Sequence, residues 1–193
     1  MKIAELSGIM SLHLTSRLIK AKGGFTLVEL MIVIAIIVIG SAIAIPAYNI
    51  TIKPTAELNG AARQLYSDIQ LIRLRAVSEN RRYGIDFDST SDDYIVFEDA
   101  NGDFEYDAGE TILKRVQFSA GLGYGRVSFD ANYGSGDGVT FTGTGVANSF
   151  SFSTRALPSP NGIVYLKNNK NPPEGRMVNV NSMGGVRIQK YNP

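Results

Sequence analysis

Hydrophobic and polar positions fall into three regimes along this 193-residue chain. Residues Phe25 to Ile45 read FTLVELMIVIAIIVIGSAIAI, apolar on every face with a single charge at Glu29. As a helix rising 1.5 Å per residue, this stretch reaches about 31 Å, the thickness of a bilayer's hydrocarbon core. It predicts one membrane-spanning helix. From Ala56 to Val77 the apolar residues Leu58, Ala61, Ala62, Leu65, Ile69, Ile72 and Ala76 recur every three or four positions. That is one face of an amphipathic helix, suited to packing on a sheet. Its other side carries Arg63, Asp68, Arg73 and Glu79, which reads as a solvated face.

Beyond Arg82 the period changes to two. Alternating runs at Tyr83–Phe87, Tyr94–Phe97, Ile112–Phe118, Arg126–Phe129 and Val139–Phe141 are bounded by Gly, Asp, Asn or Ser, and so are those at Phe150–Phe152, Ile163–Leu166, Met177–Val180 and Val186–Ile188. They predict many short strands, with 14 of the 20 glycines lying after residue 100 to serve the turns. Helix first and antiparallel strands afterwards is an α+β arrangement. A long N-terminal helix, membrane-spanning in its first half and amphipathic in its second, is expected to pack on a C-terminal antiparallel β-sheet head. Pro46 follows the apolar run and is expected to break or kink the helix there, because it cannot donate an intrahelical hydrogen bond.

Composition narrows the chemistry. There is no Cys, and the single His is His13, so Ser-His-Asp and Cys-His sites and the usual zinc sites lack their residues. No nucleophile and base occur at a catalytic spacing, and catalysis is not expected. The flank before the apolar run holds Lys2, Arg17, Lys20 and Lys22 against Glu5 alone. That bias keeps the N-terminus cytoplasmic and sends the rest of the chain across the membrane. A cleavable secretory signal has a shorter apolar core of about 7–15 residues. A plain signal anchor would leave Glu29 unexplained, since a carboxylate inside the apolar stretch costs about 2.5–3.5 kcal/mol at a helix centre.

The run Lys22-Gly23-Gly24-Phe25-Thr26-Leu27-Val28-Glu29-Leu30 resembles the class III leader junction of type IV pilins and type II secretion pseudopilins. The resemblance implies that residues 1–24 are a leader cut between Gly24 and Phe25 by a prepilin peptidase, which also N-methylates Phe25. It implies that residues 25–53 are the transmembrane and assembly helix. It further implies that Glu29 pairs with a neighbouring subunit's N-terminal amine, in a low dielectric where such a pair is strong. The remaining layout, residues 54–193 with a helix over 54–80 and strands over 81–193, is similar to the GspH/FimT branch of that superfamily. The implied partners are the prepilin peptidase and other major and minor pilins or pseudopilins. The implied function is structural: a minor subunit of a type II secretion pseudopilus or type IV pilus, at or near its tip.

Two other constellations suggest ligands. From Asp86 to Glu110 there are ten acidic residues and no basic ones, and Asp99, Asn101, Asp103 and Glu110 have spacings similar to a calcium loop. Phe104 stands where such a loop needs Gly, and a solvated hairpin connection is the simpler account. No cofactor is required. Residues 155–190 are basic, with Arg155, Lys167, Lys170, Arg176, Arg187 and Lys190 against Glu174 alone. DNA contact through Arg187 and Lys190, as in minor pilins for DNA uptake, is the second functional reading. It is weakened because the positions matching the resembling Gly-Arg-x-Arg element are Gly184, Gly185, Val186 and Arg187, so one of its two arginines is missing, at Gly185. Without the leader the chain also carries 15 basic against 17 acidic residues, a net charge of −2.

Overall fold

The computed structural model describes residues 24–118, 126–141 and 148–193, so the leader up to Gly23 lies outside the described residues. The chain divides into two compact units, one reaching to Gly40 and the other running from Ser41 to Pro193. Helical backbone covers Leu27 to Ser78. It comprises α1 (Leu27–Ala47), a five-residue π-helical turn (Tyr48–Ile52) and α2 (Lys53–Ser78). Pro46 does not end the helix but lies within α1. Its nitrogen has no hydrogen for the Ala42 carbonyl, and the departure from α-geometry comes two residues later as the wider π turn.

α2 begins with Pro54 in its first turn, where a missing N–H costs nothing. It ends at Glu79, whose N–H donates to the Arg75 carbonyl at 2.8 Å, and Asn80 then turns left-handed with φ 51°. Leu58, Ala62, Leu65, Ile69, Ile72 and Ala76 are all buried on one face. Each large aliphatic side chain so buried contributes about 1.5–3 kcal/mol. The other side departs from the expected solvated face in two ways. Asp68 is buried, and Leu71, Leu74 and Val77 leave an exposed apolar stripe at spacings of three.

Among the described residues nine strands follow: β1 Tyr83–Asp88, β2 Asp93–Glu98, β3 Ile112–Gln117, β4 Val127–Phe129, β5 Ser149–Phe152, β6 Pro158–Ser159, β7 Gly162–Asn168, β8 Gly175–Val180 and β9 Val186–Tyr191. They form two antiparallel sheets, ordered β3-β2-β1-β5-β6 and β4-β7-β8-β9. Eight of the nine predicted runs are strands. Val139–Phe141 contributes only an isolated bridge from Val139 to Val164, and the two-residue β6 carried too short a pattern to be read. The core joins the α2 face to both sheets through Ile85, Phe87, Phe129, Phe141, Phe150, Val164 and Val178. Within it Phe141 and Phe150 stack at 4.4 Å between ring centroids.

Polar ties hold these layers in register. The Asp92 carboxylate, at the β1–β2 turn of the first sheet, accepts from the Phe129 N–H at 3.0 Å and from Arg126 at 2.8 Å, both at the β4 edge of the second. In the second sheet the fully buried Asp130 accepts from Lys167 at 2.8 Å and from the Tyr191 hydroxyl at 2.9 Å.

Candidate functional site

The residues singled out at the N-terminal junction sit at the start of α1. Thr26 precedes the first helical residue, and its Oγ1 accepts the Glu29 N–H at 3.1 Å. The Leu30 N–H reaches the Thr26 carbonyl at 3.2 Å. Thr26 is therefore the N-cap and Glu29 the third helical residue, the Thr-x-x-Glu spacing of a capping box. A cap of this kind contributes about 1 kcal/mol. It fixes the first turn and leaves the Glu29 carboxylate, in a position favoured by the helix dipole, without an ion-pair partner among the described residues. The pattern T-x-x-E carries this feature in the sequence, where it was not singled out.

Every residue of α1 is exposed and none is buried within the chain. Its apolar side chains range from Val33 at 44 % to Leu27 at 75 % exposure, and Phe25 is 82 % exposed. A surface apolar all round requires lipid or other helices about it. Gly24 stands in open space, where an added Cβ would meet nothing within 4 Å.

The calcium candidates lie in the β2–β3 connection, where they bond to the loop itself. Asp99 accepts from the Gly102 N–H at 2.6 Å and from the Ser151 hydroxyl at 2.7 Å. Asn101 donates to Asp103 and Asp107, each at 2.8 Å. Glu110 accepts from the N–H groups of Ala100 and Asp107 at 2.7 and 3.1 Å. Among the described residues no three Asp, Glu or His side chains are arranged to hold a metal ion. Phe104, at the expected Gly position, is itself left-handed with φ 76°, and its ring lies 5.4 Å under the Arg82 guanidinium.

The DNA candidates are not brought together. Arg187 and Lys190 are both exposed on β9, but three positions apart on a strand places them on opposite faces. Asp68, read from the sequence as a surface charge, instead forms a buried junction. It accepts from the Tyr94 hydroxyl at 2.7 Å and from Lys114 Nζ at 2.8 and 2.7 Å. Burial first, and then the bond to Asp68, pushes the Tyr94 hydroxyl well above the ordinary tyrosine range.

Comparison with known proteins follows the same division of the chain. The family described as Type II transport protein GspH matches residues 61–184, and the prokaryotic N-terminal methylation motif matches residues 19–45. No curated protein sequence gives a significant match. Among solved structures, the minor pseudopilin EpsH from the Type 2 Secretion System of Vibrio cholerae is similar at 12 % identity, with 69 % of this chain and 97 % of that one covered and a TM-score of 0.49. The type IV minor pilin FimU of Pseudomonas aeruginosa is similar at 16 % identity, with 70 % and 90 % covered and a TM-score of 0.46. With a family match across more than half of its length behind a methylation motif, this chain belongs to the GspH family of pseudopilins, structural subunits and not enzymes, anchored by an apolar N-terminal helix.

Proposed function

We propose that this chain is a minor subunit of a type II secretion pseudopilus or a type IV pilus, acting at or near the tip to help start assembly. The precursor crosses the inner membrane once, with its N-terminus cytoplasmic and its β-rich part on the far side. A prepilin peptidase cuts between Gly24 and Phe25 and methylates the new amine of Phe25. The observation that carries this reading is α1: apolar and exposed on all sides, with a carboxylate in its first turn that has no ion-pair partner among the described residues. In lipid that surface is already out of water, so exchanging lipid for neighbouring helices is nearly isoenergetic. Glu29 gives the exchange a register by pairing with the amine of an adjacent subunit's first residue. The exposed stripe of Leu71, Leu74 and Val77 on α2 is a second apolar surface that neighbours in a filament would cover.

Intact mass after co-expression with a prepilin peptidase tests processing. The expected product lacks residues 1–24 and carries one added methyl group, and Gly24→Ala blocks the cut without a folding defect because the site is open. An uncut wild-type chain would sink the reading. Glu29→Val is expected to be processed yet incorporated poorly. A DNA-uptake role has weaker support, because Arg187 and Lys190 do not share a face.

A further inference from the structure

The strand edges of the two sheets are not equivalent. β4 has three residues and β6 two, with Pro158 in the latter, and the β2–β3 ladder is interrupted by a register shift at Val96/Phe97. Short strands, proline and irregular ladders are the usual ways to prevent a sheet from adding a further strand. β9 has none of these three, and its only guard against a strand of like charge is the pair of cations Arg187 and Lys190. It is six residues long, contains no proline, and pairs in unbroken register with β8 from Val180↔Val186 to Gly175↔Tyr191.

The ladder also determines which groups face outward. The Asn181 N–H donates to the Gly185 carbonyl at 3.0 Å, in line with the β8–β9 register. Hydrogen-bonded pairs recur every second residue, so Arg187, Gln189 and Tyr191 bond to β8 while Val186, Ile188 and Lys190 aim their N–H and C=O groups away from the sheet. Among the described residues nothing bonds to those outward groups. Ile188 remains 36 % exposed beside them.

Charge near this edge is uncompensated. Elsewhere Lys114, Arg115, Arg126, Lys167 and Lys170 each pair with a carboxylate. Arg187 and Lys190 on β9 have no ion-pair partner among the described residues, and neither has Arg73, which packs against Gly184 in the β8–β9 turn. An open depression of about 490 Å³ at the far end of the strand is lined by Lys190, Tyr191 and Asn192 together with Glu174, Gly175 and Arg176, and Glu174, the one carboxylate there, is already paired with Lys170.

We propose that β9 is a strand-accepting edge, which takes up an extended, acidic segment of a different subunit as a fifth strand of the second sheet. Main-chain bonds to Val186, Ile188 and Lys190 supply the register, and carboxylates of the incoming strand meet Arg187 and Lys190. A second copy of β9, Val-Arg-Ile-Gln-Lys-Tyr, is a poor occupant, since it carries no carboxylate to meet these cations. The inference rests on the assembly reading above and names the contact it would use.

Hydrogen exchange on the full-length processed chain, compared between detergent and sheared filaments, tests it. The amides of Ile188 and Lys190 should slow at least tenfold on assembly, while those of Arg187 and Gln189 are slow in both states. Equal exchange in the two states overturns the proposal. Ile188→Pro removes only an outward N–H, so it should fold and be processed normally while incorporation falls at least tenfold. Arg187→Glu with Lys190→Glu should lower incorporation comparably and keeps the test open if the proline variant misfolds. Incorporation of these variants at the wild-type level would overturn the edge contact and leave the assembly reading standing. Filaments lacking even the wild-type chain would overturn both. Retention of duplex DNA that survives Ile188→Pro yet is lost on the double charge reversal would also overturn it, by assigning the cations to phosphate.

Discussion

The Tyr94 hydroxyl, on β2, donates to the carboxylate of Asp68, on α2, across a buried gap of 2.7 Å. This bond ties the helix to the first sheet where the surrounding contacts are otherwise apolar, and Lys114 from β3 completes it. Tyr94→Phe removes a hydrogen bond to a charged acceptor and should cost about 2 kcal/mol. Asp68→Ala should cost more, because it leaves a buried hydroxyl unpaired. Thermal unfolding of the detergent-solubilised chain checks both, and a Phe variant as stable as wild type would contradict the finding.

Asp86 gives a pH dependence of defined sign. Burial is the main reason its carboxyl is pushed up from 3.8 to about 6, and the neighbouring carboxylates of Asp88, Glu105 and Asp93 add to it. Across the β1–β5 ladder it faces Ser149, whose buried hydroxyl has no hydrogen-bond partner. Between pH 3.8 and 6 the folded chain holds this proton while the unfolded chain releases it, so stability from this group falls as pH rises. Asp86→Asn should therefore stabilise at pH 8 by about 1 kcal/mol, discounted for the water the carboxyl retains. At pH 3 it should change little. A pH-independent effect would contradict the assignment.

Gly84 is required for a steric reason. A Cβ there would lie 2.7 Å from the Phe97 ring and 2.9 Å from the Phe150 carbonyl oxygen. Phe97 is itself fully buried with Tyr106 against it, so the ring cannot swing away freely. Gly84→Ala should cost about 1–3 kcal/mol by overpacking, while Gly60→Ala, in open space on α2, should stabilise by up to about 1 kcal/mol. Denaturant midpoints of the two variants should shift in opposite directions.

The acidic connection should be indifferent to calcium. Asp99 and Glu110 already accept two hydrogen bonds each from the loop and its neighbours, and no three acidic side chains among the described residues converge on one point, so an ion would need the loop to rearrange. Adding Ca²⁺ to about 1 mM, within reach of weak protein sites, should leave the unfolding temperature unchanged. A clear rise would show that the loop rearranges around the ion.

Elements with a strong local period were legible in the sequence. The α2 stripe from Leu58 to Ala76 and the alternation in β1, β7 and β8 depend on neighbours one turn or two residues away, and those are written in the chain. Asp68 was misread because its partners Tyr94 and Lys114 lie 26 and 46 residues on, and nothing local distinguishes a buried carboxylate from a solvated one. Pro46 was read as a break or kink, but helical backbone continues through it to Ala47 and on into the π turn at Tyr48–Ile52, a course set by the residues on both sides and not by the proline alone. The open edge of β9 was invisible for a different reason. Which of its amides face outward follows from the hydrogen-bond parity of the β8–β9 hairpin, and parity cannot be read from side-chain pattern alone.

An α1 surface with no buried residue also determines how subunits are counted. A molecule whose first helix tolerates only lipid or sister helices keeps that helix out of water while its β-rich part is solvated, so its supply is a number per unit area of membrane. Growth of any filament containing it would then follow the area density of the bilayer pool. Diluting the cell contents would change nothing, whereas enlarging the membrane would.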